Sequence, residues 1–79
     1  MAVMNPRYLV AALYKFVSLP DYKQLKAPLL EVCERHDVLG TLILAEEGLN
    51  GTIAGPVDGI RSVLTYLKSD ERLSDLVHK

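Results

Sequence analysis

A chain of 79 residues with a net charge of −1, 49% hydrophobic and 24% charged residues, is expected to fold as one small globular domain. That balance excludes disorder of the whole chain and any global basic field, so binding to nucleic acid would need a local patch. The single cysteine excludes an intrachain disulfide framework and suits a reducing compartment. No apolar run reaches the roughly 18 residues of a membrane span, and the start Met1-Ala2-Val3-Met4-Asn5-Pro6-Arg7 lacks a basic n-region followed by a long apolar h-region, so no signal peptide is expected; a cytoplasmic location is expected.

Residues 1–7 read as a short disordered lead and 8–79 as the domain. Tyr8 to Val17 is apolar at nearly every position, the pattern of a strand buried on both faces, and Ser18-Leu19-Pro20 breaks it. Asp21 then offers an N-cap, and Leu25, Leu29, Val32, Cys33 and His36 recur at three- and four-residue spacing. This predicts a helix over 21–36, kinked at Pro28, which removes a backbone donor, and ended by Asp37 to Gly40. Two strands follow, at 41–45 and 51–54. Asn50-Gly51 between them carries the hairpin signal, with Gly48 and Gly51 placed to accept φ > 0. Pro56 opens a second helix over 57–69 with the stripe Ile60, Val63, Leu64 and Leu67, weakened mildly by Gly59. Residues 71–75 connect to a strand beginning at 76–79.

The order β-α-β-β-α-β predicts an α+β fold of the ferredoxin-like, split βαβ kind, with both helices on one face of an antiparallel sheet. The first strand is apolar on both sides: Leu9, Ala11 and Leu13 on one, Val10, Ala12, Tyr14 and Phe16 on the other. Helices on one face leave the second to be covered by something else. The chain therefore reads as a piece of a longer protein, truncated before the final strand or strands.

Reactive groupings are sparse. Cys33 has His36 near it in helical register and no Cys-x-x-Cys partner, which fits a buried structural thiol better than a nucleophile or metal ligand. His36 suits a helix C-terminus, and His78 is uninformative. Glu46 and Glu47 are adjacent and do not read as a paired acid and base. Gly48 to Gly51 could form a nest of backbone amides, but the acids beside it argue against phosphate. The basic residues Arg7, Lys15, Lys23, Lys26, Arg35, Arg61, Lys68 and Arg72 are scattered. No catalytic residue, cofactor site or metal site is expected.

The phrase Gly40-Thr41-Leu42-Ile43-Leu44-Ala45-Glu46-Glu47-Gly48-Leu49-Asn50-Gly51-Thr52-Ile53-Ala54-Gly55 resembles the signature of the N-terminal domain of the rhodanese-like tRNA uridine hydroxylases. Tyr14-Lys15-Phe16, Ala27-Pro28-Leu29-Leu30 and the tail from Asp70 to Lys79 are similar too. The resemblance implies an acylphosphatase-like domain ahead of a rhodanese domain, in an enzyme that converts the wobble uridine of tRNA to 5-hydroxyuridine with oxygen. The family's catalytic cysteine lies beyond residue 79 and Cys33 does not match it, so no catalytic residue is carried over and these residues alone are expected to be inactive.

The implied role is a substrate-positioning or scaffold domain, with the rhodanese domain and, through the whole protein, tRNA as partners and no membrane. The resemblance marks Glu47, Gly48, Asn50, Gly51 and Thr52 as a motif loop of structural or interaction role. Lys15, Lys23, Lys26 and Arg61 are candidate tRNA contacts. Two alternatives stand beside this reading. A free-standing acylphosphatase would need a Gly-rich phosphate loop with an arginine after the first strand, where Val17-Ser18-Leu19-Pro20 stands. A ligand-binding regulatory module would use the same fold.

Overall fold

Tyr8–Phe16 forms β1, Tyr22–Arg35 α1, Leu39–Ala45 β2, Gly48–Pro56 β3, Val57–Lys68 α2 and Val77–His78 β4, in a computed structural model that describes residues 8–78. The lead expected at 1–7 lies outside the described residues. The sheet has four strands in the order β2-β3-β1-β4, and every neighbouring pair is antiparallel. This is the α+β, ferredoxin-like arrangement that the element order predicts.

The register sorts the residues of the sheet into two faces. Leu13 lies opposite Gly51, Ala11 opposite Ile53 and Lys15 opposite Leu49, while Leu44 lies opposite Leu49 from the other side. Ala11, Leu13, Leu44, Leu49 and Ile53 are all buried, because α1 and α2 cover that face. Ile60, Val63 and Leu67 from α2, and Leu29 and Cys33 from α1, close the core over them. Both helical stripes read from the sequence are thus the buried ones, with Leu25, Val32 and Leu64 half-buried beside them.

The hairpin turn is not at Asn50-Gly51. Ala45 pairs with Gly48, so Glu46 and Glu47 make the turn, and Asn50 and Gly51 lie inside β3, opposite Ile43 and Leu42. Neither glutamate has φ > 0, so this turn is not of the primed kind that asparagine and glycine favour. Gly48 and Gly51 instead carry φ of +139° and +148° within the strand. A Cβ at Gly48 would stand 2.0 Å from the carbonyl oxygen of Lys15, and one at Gly51 would stand 2.0 Å from that of Thr41. Glycine is required there by strand contact, in a backbone region almost closed to other residues. β3 is accordingly longer than expected from 51–54, and β2 begins two residues before 41.

α1 runs through Pro28. The bond lost is the one to the carbonyl of Gln24, four residues back, and both residues are exposed, on the solvent side of the helix. At the other end Val38 N–H donates to the Cys33 carbonyl at 2.9 Å and Asp37 N–H donates to that of Glu34 at 3.3 Å. With Asp37 at φ 59°, these bonds make a Schellman stop with aspartate in the place glycine usually takes. Asp21 occupies the N-cap position, but its side chain makes no cap hydrogen bond.

Instead the Asp21 carboxylate meets Arg72. Arg72 Nη1 and Nη2 donate to Asp21 at 2.7 and 3.2 Å, and Nε and Nη2 donate to Asp70 at 2.9 and 2.7 Å. One guanidinium thus forks onto two carboxylates. Lys15 Nζ donates to Asp75 at 2.9 Å, which fastens the segment before β4 to β1. The connector expected at 71–75 contains a short 3₁₀ turn, Glu71–Leu73, whose Leu73 is buried, as is Leu76 after it.

Candidate functional site

Three regions hold the residues singled out in the sequence. The first is the junction of the hairpin tip with the segment between β1 and α1. Val17 N–H donates to the Glu47 carbonyl at 3.0 Å, and Leu19 N–H donates to that of Glu46 at 2.8 Å. Leu19 is fully buried. The turn therefore acts as a backbone clasp on this segment, and Val17, Ser18, Pro20, Glu46 and Glu47 line a shallow depression there. An oxyanion placed in it would face two acidic residues, and two of the amides that could cradle it are already bonded. Of the motif residues, Glu47 lies in this turn, while Gly48, Asn50, Gly51 and Thr52 belong to β3.

The second region is the helical layer. Lys23 and Lys26 reach over the ring of Tyr22, with their ammonium nitrogens 6.0 and 5.8 Å from its centroid, and Arg61 is exposed on α2. Lys15 stands apart from these three, paired to Asp75. A groove between α1 and β2, of about 490 Å³, has Leu29, Leu30, Cys33, Leu39 and Leu42 among its walls, with Lys26 and Glu34 as its ionic residues. Cys33 is buried and free, and burial pushes its thiol pKa up, away from the reactive thiolate. Among the described residues no three His, Cys, Asp or Glu side chains gather in a way that could hold a metal ion.

The third region is the face of the sheet away from the helices. β1 presents Tyr8, Val10, Ala12, Tyr14 and Phe16 to it, all exposed. The register adds Leu39, Thr41 and Ile43 from β2, Asn50, Thr52 and Ala54 from β3, and Val77 from β4. Val10 is 69% exposed and Phe16 and Leu39 are each 77% exposed, while Ala11 and Leu13, on the opposite side of β1, are buried. Among the described strand residues this face holds no charged side chain. Tyr14 and Phe16 pack their rings 6.3 Å apart on it. The bare second face expected from the sequence is thus present, and it is apolar rather than basic.

These regions offer surfaces and no assembled reaction centre among the described residues. The carboxyls of Asp21 and Asp70 are held below the usual carboxylate range by hydrogen bonds from Arg72, and that of Asp75 by Lys15. Each is explained by a structural ion pair. No helix in the described residues is long and apolar enough to cross a membrane. The Arg72–Asp21 arm of the fork had no signal in the sequence, since the two residues lie 51 apart.

Comparison with known proteins agrees with the fold. The chain is 62% identical over 72 residues to a tRNA uridine(34) hydroxylase of Albidiferax ferrireducens, covering 91% of this chain and 23% of that protein. It is 51% identical over 72 residues to a protein of the same name from Teredinibacter turnerae, covering 91% of this chain and 22% of that one. The chain thus spans less than a quarter of the length of these relatives. A family model described as the UPF0176 acylphosphatase-like domain matches residues 8–79, and the chain belongs to that family.

Proposed function

We propose that this domain is the scaffold and substrate-positioning part of a tRNA uridine(34) hydroxylase and performs no chemistry itself. The observation that carries the reading is the 62% identity to a protein of that name across nearly the whole chain. The structure supports the second half of the reading. Its one cysteine is buried with a raised pKa, and no nucleophile stands beside a base among the described residues. In this reading the reacting groups come from a rhodanese domain of the same parent chain. Contacts to tRNA come from the helical layer, where Lys23, Lys26 and Arg61 are solvent-facing, and the Glu47–Thr52 motif serves the hairpin and its clasp. The protein acts in the cytoplasm, where its tRNA substrate is found.

The test is hydroxylation of the wobble uridine, read by mass spectrometry of tRNA nucleosides. The parent protein is expected to hydroxylate, the parent lacking residues 8–78 to lose most of that activity, and the 79-residue chain to show none. Full activity without this domain, or turnover by the domain alone that Cys33→Ala abolishes, would overturn the reading. Acyl phosphate should hydrolyse at the buffer rate in the presence of this chain, as the clasped β1–α1 segment requires.

A further inference from the structure

We infer that the bare face of the sheet is the docking surface for the remainder of the parent polypeptide, which meets it with an apolar, uncharged surface. The inference rests on the reading of this chain as one domain of a longer hydroxylase. Three observations single out that occupant.

The first is chemistry. Phosphate groups are held by lysine, arginine and backbone donors. The face offers Val10, Tyr14, Phe16, Leu39 and Ile43, no charged side chain among the described strand residues, and backbone groups turned sideways into the sheet. Its exposed apolar area has the character of a buried contact and not of a nucleic-acid groove.

The second is size. Nine residues of β1 at about 3.4 Å each give a length of about 30 Å, and three long strands about 4.8 Å apart give a width of about 14 Å. The flat footprint of the face is therefore about 400 Å², and the side chains that stand on it give it a larger accessible area. A free partner in a stable complex covers about 800 Å² of accessible surface per side, so a second copy or a separate protein would have to engage the whole face. Contacts between domains of one chain bury about 600–1,500 Å² in total, which this face can supply. Tethering lets a domain of the same chain dock over part of the face, because it raises the effective concentration.

The third is the length of the relatives. The 72 matched residues make up 22–23% of them, so each carries more than three quarters of its length outside the matched stretch. A tethered occupant of ample size exists in those proteins.

The experiment places single thiols at Val10→Cys and Ile43→Cys on the face, with Thr65→Cys on the exposed side of α2 as a control. Labelling is followed peptide by peptide with a maleimide and mass spectrometry, in the 79-residue chain and in the parent protein. In the 79-residue chain all three should label at similar rates. In the parent, the two face positions should slow by about tenfold or more, as burial behind a docked partner requires, and Thr65→Cys should not change. Equal labelling of all three in the parent overturns the proposal. Protection that appears only when tRNA is added assigns the face to nucleic acid, and protection that fades on dilution assigns it to a second copy; either result also overturns it. Hydroxylation of tRNA is measured on the same preparations. Protection without hydroxylation leaves the docking face standing and removes the proposed function, whereas hydroxylation without protection does the reverse.

Discussion

Asp21, at the start of α1, and Arg72, in the 3₁₀ turn after α2, are joined by two hydrogen bonds of 2.7 and 3.2 Å across 51 residues of sequence. The same guanidinium holds Asp70 at 2.7 Å. One side chain therefore ties the entry of the first helix to the exit of the second. Arg72→Ala is expected to lower the urea midpoint of the chain. Arg72→Lys should recover only part of the loss, since an ammonium cannot fork onto two carboxylates.

The same relationship sets a pH dependence. Hydrogen bonds from Arg72 lower the folded-state pKa of Asp21 and Asp70, so their contribution is complete above the unfolded value of about 3.9. It is lost as pH falls through the lower folded values. The gap in stability between the wild-type chain and Arg72→Ala should be widest near neutrality and close in acid. A gap that does not narrow as the pH is taken progressively below the unfolded value would contradict the assignment.

Gly48→Val and Gly51→Val should each destabilise the chain by at least about 1–3 kcal/mol, the cost of forcing a β-branched residue into a backbone region reserved for glycine. The clash of the new Cβ with a neighbouring carbonyl oxygen adds to that. Unchanged urea midpoints for both would refute the strand geometry.

Asp37→Gly should stabilise the chain by about 0.5–1 kcal/mol, because it removes the cost of a side chain at a left-handed position. Asp37→Val should do the opposite. Thermal unfolding of the three proteins reads the order directly.

Two residues of β1 separate the faces of the sheet. Leu13→Ala should cost about 2–5 kcal/mol, as for other buried leucines, while Val10→Ala should stay within about 0.5 kcal/mol in the 79-residue chain. Equal losses at the two sites would mean that both faces are buried.

Periodicity and punctuation made much of this architecture legible in the sequence. Apolar spacing located both helices within a residue or two of their ends, and the two-sided apolar pattern of β1 foretold the bare face. The turn was misplaced because Asn50-Gly51 is a strong local signal. Pairing of β3 with β1 on one side and β2 on the other outweighs it, and a local motif carries no information about cross-strand contact. Gly59 read as a weak spot in a helix. In the structure a Cβ there would stand 2.4 Å from the carbonyl oxygen of His36, so the residue lets the end of α1 approach α2. Distance in sequence likewise hid the pairs Arg72–Asp21 and Lys15–Asp75, whose members are 51 and 60 residues apart.

β2 lies at the border of the sheet, with β3 on its inner flank and no strand beyond it among the described residues. Leu39 to Ala45 contains no proline and no charged residue, the devices by which border strands usually discourage pairing with another molecule. Handled alone and at high concentration, the domain thus carries a route to fibrous self-association that runs along hydrogen bonds and is independent of the bare face. A lysine at Thr41 would block that route, and doing so would cost the fold little, because Thr41 is exposed.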